Sequence, residues 1–480
     1  MERLYINQIK SFLKGRFHEE NERKFILSML LLRFAGLEFE KECAELKSEG
    51  WRYEDQASWE GKSIYFPRGV RWEALEKREG QDLRKGLYDA FRLMDVPGSK
   101  YRGLVYPKSV TGSFDEDELA GLFHITGELS FGRHGEEGSD FSQLYEFMLQ
   151  YLTDWSIKQM GSYCTPRQIA RLMVGLLEPE GGIIYDPCCG SGSMLLCAAD
   201  YMRSKKQNYG LYGQEADETA WKMARINLIL RGEEADLGSA AADALQYDLH
   251  GELQADVVLA NPPFQRHGRG QGRISDDVPW KPGFPAAQKG DFVWLQHMLS
   301  HLKENGRIAS VFSNGILAGQ RREEREFRAA LLREDLVEAV FTLPPGLFYT
   351  TKAAVSLWVL KKDKESVCRK RILFVDARKL GKAEGGLTVF SDLEREELVS
   401  AYRNYQNGIQ DDRPGFCRQV PVTEIEADEY SMAPERYVMD RRQKLLKLEE
   451  LESREAELEG RLKELLGKNR DMLNLILNGK

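Results

Sequence analysis

The sequence predicts an α/β protein: a largely parallel sheet of βαβ units in the middle of the chain, an all-helical domain before it and a coiled-coil helix after it. Three observations carry this. From about residue 165, short apolar runs alternate with stretches of helical periodicity, as crossover connections between parallel strands require. Before that point, apolar residues recur at helical spacing. In residues 441–480, leucines follow a 3-4 alternation among Glu, Lys and Arg.

The length of 480 residues is long for one domain. The expected division is a helical N-terminal domain over 1–140, an α/β domain over 141–395, a connecting segment over 396–440 and a coiled-coil helix over 441–480. In the first part Phe25, Ile26, Met29, Leu30 and Phe34 share one helical face, and Trp51, Tyr53, Trp59 and Trp72 supply bulky core. Gly132-Arg133-His134-Gly135-Glu136-Glu137-Gly138-Ser139-Asp140 reads as a loop, followed by a helix from about Phe141 carrying Tyr145, Phe147, Met148 and Leu152. Strands are expected over 183–185, 211–215, 256–260, 307–312, 337–342 and 353–360. Helices are expected over 195–202, 220–230, 292–302 and 323–333. The last two strands have no long helix between them, which predicts an antiparallel hairpin at one edge of the sheet. In the tail, Leu448, Leu451, Leu458, Leu462, Leu465, Met472 and Ile476 form a heptad seam, with Glu455 and Asn469 filling its gaps. Charged flanks leave a narrow apolar stripe, and a polar residue on the seam fixes register. Both features favour a coil that binds a partner over a helix packed on its own domain.

Apolar residues make up 42% of the chain and charged residues 30%, ordinary values for a globular protein. The apolar run over 25–32 is interrupted by Ser28 and is too short to span a bilayer. No signal-peptide pattern precedes it, so no membrane association and a cytoplasmic location are expected. Seven cysteines without regular spacing fit a reducing compartment. Cys188 and Cys189 are adjacent, but no second Cys/His pair stands at zinc-ligand spacing, so no metal site is expected. The net charge of −8 argues against coating nucleic acid through overall charge. Any DNA binding must use a local basic patch or a more basic partner.

Ligands of parallel sheets sit beyond the carboxyl ends of the strands, where Asp186, Glu215 and Asn261 all fall. The first end reads Asp186-Pro187-Cys188-Cys189-Gly190-Ser191-Gly192-Ser193. Gly190 and Gly192 permit positive φ and close backbone approach to a ligand. The spacing is neither that of dinucleotide binders nor that of a phosphate cradle. An acid ahead of the turn would repel pyrophosphate and suit a cation. S-adenosylmethionine carries an ammonium and a sulfonium and no phosphate. Glu215 can accept both ribose hydroxyls, and Asp243 the adenine amine.

The third end reads Asn261-Pro262-Pro263-Phe264 after Asp256-Val257-Val258-Leu259-Ala260. The lone pair of an exocyclic adenine nitrogen is delocalised into its ring, so the nitrogen is a poor nucleophile. The Asn261 side-chain oxygen and the Pro262 carbonyl can accept its two hydrogens and aim the lone pair at a sulfonium methyl. Pro262 and Pro263 stiffen the corner, and Phe264 can stack on the base. Residues 265–290 are rich in Gly and Arg, including Arg266, Arg269 and Arg273, and read as a mobile functional loop.

These residues resemble the modification (M) subunit of type I restriction–modification systems, an N6-adenine DNA methyltransferase, over about 140–440. Gly161-Ser162-Tyr163-Cys164-Thr165-Pro166-Arg167 resembles the family's cofactor-binding segment ahead of the first strand. Asp186 to Ser193 is similar to its cofactor loop, and Asn261 to Phe264 to its catalytic tetrapeptide. Asp291-Phe292-Val293-Trp294-Leu295-Gln296-His297, Leu343-Pro344-Pro345-Gly346-Leu347-Phe348 and Met432-Ala433-Pro434-Glu435-Arg436-Tyr437 are further signatures. Cys164 stands where an aromatic is usual, and Ala241-Ala242-Asp243 lacks the usual glycine. The resemblance implies a Rossmann-like class I S-adenosylmethionine-dependent methyltransferase domain acting on a flipped adenine in double-stranded DNA. It implies Asn261, Pro262, Pro263 and Phe264 as catalytic residues. Tyr163, Thr165, Pro166, Asp186, Pro187, Cys188, Gly190, Ser191, Gly192, Glu215, Asp243 and Asn261 are the implied cofactor contacts. It also implies a specificity (S) subunit, typically one for two M subunits, and a restriction (R) motor/nuclease subunit that can join. Asn-Pro-Pro-aromatic corners also serve enzymes that methylate protein glutamine or RNA. A non-catalytic assembly subunit is the remaining alternative.

Overall fold

The computed structural model describes residues 20–48, 64–110, 114–128, 165–263, 290–348, 353–439, 454–463 and 465–466. Trp51, Tyr53, Trp59, Tyr163, Phe264, the loop expected over 132–140 and all of the loop expected over 265–290 except Gly290, which opens a helix, lie outside them.

Helix α1 (Glu20–Ser48) packs with α2 (Gly80–Met94) and α3 (Glu116–Gly127). Phe25, Ile26, Met29, Leu30 and Phe34 are buried, as their spacing requires. Trp72 stacks on Phe123 with centroids 4.3 Å apart. Asp115 and Glu118 form a reciprocal capping box that starts α3.

The main sheet runs β1 (Gly182–Asp186), β2 (Tyr209–Gly213), β3 (Ala235–Asp236), β4 (Ala255–Ala260), β5 (Leu302–Ser313), β6 (Val337–Thr342), β7 (Val355–Lys361), β8 (Arg371–Asp376) and β11 (Cys417–Pro421) along the chain. In space the order is β11-β8-β6-β7-β5-β4-β1-β2-β3. A separate ribbon pairs β9 (Lys382–Glu384) with β10 (Leu387–Val389). Strands β3, β2, β1, β4 and β5 are mutually parallel.

Side chains alternate between two cores, as the pleat demands. Ile184, Val257 and Leu259 face one side, with α4 (Arg167–Leu177), α5 (Ser193–Ser204) and α9 (Asp392–Gln406). Tyr185, Val258 and Ala260 face the other, with α7 (Gly290–Ser300) and α8 (Arg322–Arg333). Helix α6 (Glu218–Leu230) serves two cores. Trp221, Ala224 and Leu228 join the first sheet core, while Met223, Ile226 and Leu230 join the N-terminal helices. The Arg225 guanidinium adds bonds to the carbonyls of Lys100 and Arg102.

The expected edge hairpin is interior. β7 lies between β5 and β6 and is antiparallel to both. All seven of its residues are buried, which an edge strand could not achieve. The edge beyond β6 is instead extended by β8 and β11. Residues 396–440, read from the sequence as a connecting segment, supply most of α9 and the edge strand β11. The described residues of the tail, 454–463 and 465–466, are helical and exposed, with Leu458, Leu462 and Leu465 uncovered. No described helix is long and apolar enough to cross a membrane.

Candidate active site at the carboxyl ends of the strands

Strand β1 ends at Asp186, and α5 begins at Ser193. The loop between them turns on Gly190 and Gly192, with φ of 55° and 77°. A side chain at either position would be strained. Asn227 on α6 clamps the loop by donating to the Ser191 carbonyl at 3.0 Å.

Asp186 is fully buried. Its Oδ1 accepts the Cys188 N–H at 3.1 Å, and its Oδ2 finds no partner among the described residues. Burial pushes its pKa up to about 8, and the Glu215 charge pushes the same way against the Cys188 N–H. Glu215 lies two residues past β2. It accepts the Gly190 N–H at 2.9 Å and the Asp217 N–H at 2.8 Å. Burial raises its pKa as well, and these N–H bonds pull it back. A buried carboxylate oxygen without a partner is costly, and a cation placed against it removes that cost. The cradle therefore fits a positively charged ligand and disfavours a phosphate.

Asp243 is half-buried, and its Oδ1 accepts the Leu245 N–H at 3.0 Å. The segment around it is held by a residue that the sequence reading missed. Gln214, fully buried, donates to the carbonyls of Ala242 and Tyr247 and accepts from the Leu249 N–H. The only sequence signal was a polar side chain between a strand end and Glu215.

Asn261 follows β4 directly. Its Nδ2 donates to Thr165 Oγ1 at 3.0 Å, which turns Oδ1 the other way, and that buried oxygen has no partner among the described residues. Pro262 is buried and Pro263 half-buried. Thr165 precedes Pro166, the residue that caps α4. The Cys188 thiol meets the Asn261 backbone N–H, and burial holds its pKa far above the usual thiol range. Thr165, Pro166, Cys188, Asp186 and Asn261 are thus brought together.

Further along, Asp291 at the start of α7 is buried and accepts from Ser313 Oγ at 2.7 Å, at the end of β5. Gln168 on α4 bonds the Thr388 carbonyl and the Phe390 N–H. Thr388 in turn bonds the carbonyls of Pro345 and Gly346. The 343–348 signature is thereby tied to the helix that follows Thr165. Under the sheet, burial pushes the His297 pKa down to about 3, leaving a neutral imidazole.

The profile of the N-6 DNA methylase family matches residues 136–445. The HindI methylase subunit of the type I restriction enzyme from Haemophilus influenzae is 30% identical over 400 residues, covering 78% of this chain and 89% of its own. The MjaIX methylase subunit of Methanocaldococcus jannaschii is 28% identical over 390 residues, covering 78% and 69%. The structure of the type I restriction-modification system methyltransferase subunit from Streptococcus thermophilus shares the fold. Its TM-score is 0.74 at 22% identity, over 91% of this chain and 99% of that one. With that profile, that relative and that fold in agreement, the chain belongs to the N-6 DNA methylase family, as a methylase subunit of the type I restriction enzyme kind.

Proposed function

We propose that this chain transfers a methyl group from S-adenosylmethionine to N6 of an adenine flipped out of double-stranded DNA, as the modification subunit of a type I complex. One observation carries the reading. Two buried oxygens, Asp186 Oδ2 and Asn261 Oδ1, lack partners among the described residues at the ends of β1 and β4, strands that pair directly through Ile184–Val257 and Tyr185–Val258. One suits a donor that is cationic, the other an acceptor that carries N–H groups.

S-adenosylmethionine, when bound, supplies an electrophilic methyl. Asp186 would hold its ammonium end. Glu215 accepts the ribose hydroxyls with the lone pairs that its two backbone bonds leave free. Asp243 accepts from the adenine amine. Gly190 and Gly192 let the loop backbone, from Pro187 through Ser191, close on the ligand. Thr165 and Pro166 would contact the cofactor, and the family resemblance assigns Tyr163 to it as well. Asn261 Oδ1 and the Pro262 carbonyl accept the two hydrogens of the target amine and concentrate its lone pair, a preorganised electrostatic effect. Pro263 stiffens the corner, and Phe264 stacks on the base, worth about 1–3 kcal/mol. No strong base is needed first, because the proton becomes acidic once the methyl is added. A base inside a duplex cannot reach such a corner, so it must be flipped out, at a cost of roughly a few kcal/mol.

Replacing Asn261 by Ala should lower kcat about 10²- to 10³-fold while cofactor affinity, read by calorimetry, stays within a few fold. Equal loss of both would contradict the division of roles.

The same reading assigns target recognition to a specificity subunit, with two copies of this chain per copy of it, and leaves room for a motor/nuclease subunit. A cytoplasmic location follows from that role. The net charge of −8 and the uncovered Leu458, Leu462 and Leu465 support a partner that brings DNA affinity and covers the tail. Deleting residues 441–480 should abolish assembly with the specificity subunit in size-exclusion chromatography and leave the melting temperature within a few degrees. A truncated chain that still assembles would remove the tail from this role.

A further inference from the structure

One residue before Asp186, Tyr185 turns into the core beneath α7, where three of the chain's seven histidines gather. His297 lies on α7, and His301 follows one turn later, just past the helix end. His297 is 0% exposed and His301 2%.

Each ring has a nitrogen tied to an oxygen from outside the Asp248–His297–His301 group. His301 Nδ1 lies 3.0 Å from the Leu253 carbonyl, which can only accept, so Nδ1 carries the hydrogen. His297 Nε2 lies 3.1 Å from Tyr185 Oη. The second nitrogens differ in their partners. His301 Nε2 is 2.9 Å from Asp248 Oδ2. His297 Nδ1 is buried and has no partner among the described residues. One nitrogen from each ring and a carboxylate oxygen of Asp248 all lie within 4.8 Å of one another. Asp248 is itself oriented, since its other oxygen accepts the His250 N–H at 3.0 Å.

We propose that Asp248, His297 and His301 hold a structural zinc ion. The orphaned His297 nitrogen is the observation that a packing role leaves unexplained. Two imidazoles and a carboxylate, each imidazole anchored by an oxygen on its far nitrogen, form a zinc donor set with its supporting shell in place. Zinc–nitrogen bonds of about 2.0–2.1 Å would bring the donor atoms to about 3.4 Å apart. The His301–Asp248 pair, now 2.9 Å apart, would open slightly, and the wider pairs, within 4.8 Å, would close by rotation of the two rings and of the Asp248 side chain. Zinc needs His301 Nε2 without a hydrogen, so any proton shared there with Asp248 leaves to solvent on binding. A water completes the four-coordinate shell.

The ion would pin the 243–250 loop, which carries Asp243, to α7, which carries Asp291. This departs from the expectation of no metal, which rested on cysteine spacing. The i, i+4 pair His297 and His301 was visible in the sequence, but the third ligand was not.

The test uses the full chain, stripped with a chelator and titrated with zinc chloride by calorimetry and with cobalt(II) by absorbance. The expected result is one equivalent of zinc, a raised melting temperature and a tetrahedral cobalt spectrum without a thiolate charge-transfer band. His297→Gln and Asp248→Asn should each remove that equivalent while melting as the stripped wild type does. Tyr185→Phe should weaken zinc about 10- to 100-fold, because it frees the His297 ring. The proposal is overturned if the wild type takes up no stoichiometric zinc, if the equivalent survives both substitutions, or if cobalt shows a thiolate band. Should the variants fail to fold, the wild-type titration and spectrum decide alone.

Discussion

The cradle after β1 and the corner after β4 each bury an oxygen that lacks a described partner, yet they are built differently. The cradle is assembled from nearby chain. Asp186 is bonded by Cys188, two residues on, and the loop closes on Glu215, 25 residues from Gly190. The corner borrows its geometry. The Asn261 amide is oriented by Thr165, 96 residues earlier in the chain. Cofactor binding should therefore depend on local carboxylates, whereas methyl transfer should depend on a remote contact that can be cut without emptying the cradle.

The Asn261→Ala loss sets the upper end of what the corner can lose. The largest effect expected in the cradle is that of Asp186→Asn. It should weaken cofactor binding about 10- to 100-fold, the worth of a hydrogen bond to a charged group, with kcat at saturating cofactor changing much less. A kcat loss as deep as that of Asn261→Ala would erase the distinction between the two regions. Next comes pH. Asp186 titrates near 8 in the ligand-free cradle because it is buried, so it is mostly protonated at neutral pH. A cation favours its ionised form, so binding releases a proton. Affinity should rise by up to about tenfold per pH unit from 6 toward 8 and level off above. Calorimetry in buffers of different ionisation enthalpy reads that proton, and a flat affinity profile would remove Asp186 from contact with the cation.

The smallest effect sharpens the comparison most. Family resemblance makes Thr165 a cofactor contact, while its hydroxyl here holds the Asn261 amide. Thr165→Val should lower kcat about fivefold, near 1 kcal/mol, with the cofactor dissociation constant unchanged. A raised dissociation constant with kcat intact would return Thr165 to the cradle.

Much of this was legible in the sequence. The helical stripe of Phe25, Ile26, Met29 and Leu30 is the buried face of α1, because a 3.6-residue period leaves one face for the core. The order Asp186, Glu215, Asn261 at the ends of β1, β2 and β4 was readable because βαβ units return each strand end to the same side. Other features were not. β3 has two residues, too few for a pattern. β8 and β11 are separated by 40 residues holding a ribbon and a helix, so their pairing was hidden. The interior place of β7 left one trace, the unbroken apolar run of Leu357, Trp358, Val359 and Leu360, which marks a strand buried on both faces.

By itself the sequence determined the parts that depend on residue type over a few positions. Glycine allows the left-handed turns at 190 and 192, proline stiffens 262 and 263, and a carboxylate stands at the end of β1. Only the tertiary structure decided the parts that depend on distant chain: the Thr165 bond that turns Asn261, the grip of Gln214 on the 242–249 segment, the insertion of β7, and the meeting of Asp248 with His297 and His301. Those contacts are set by how helices and strands pack, and packing places side chains from many elements in one space, with no local sequence rule to announce it.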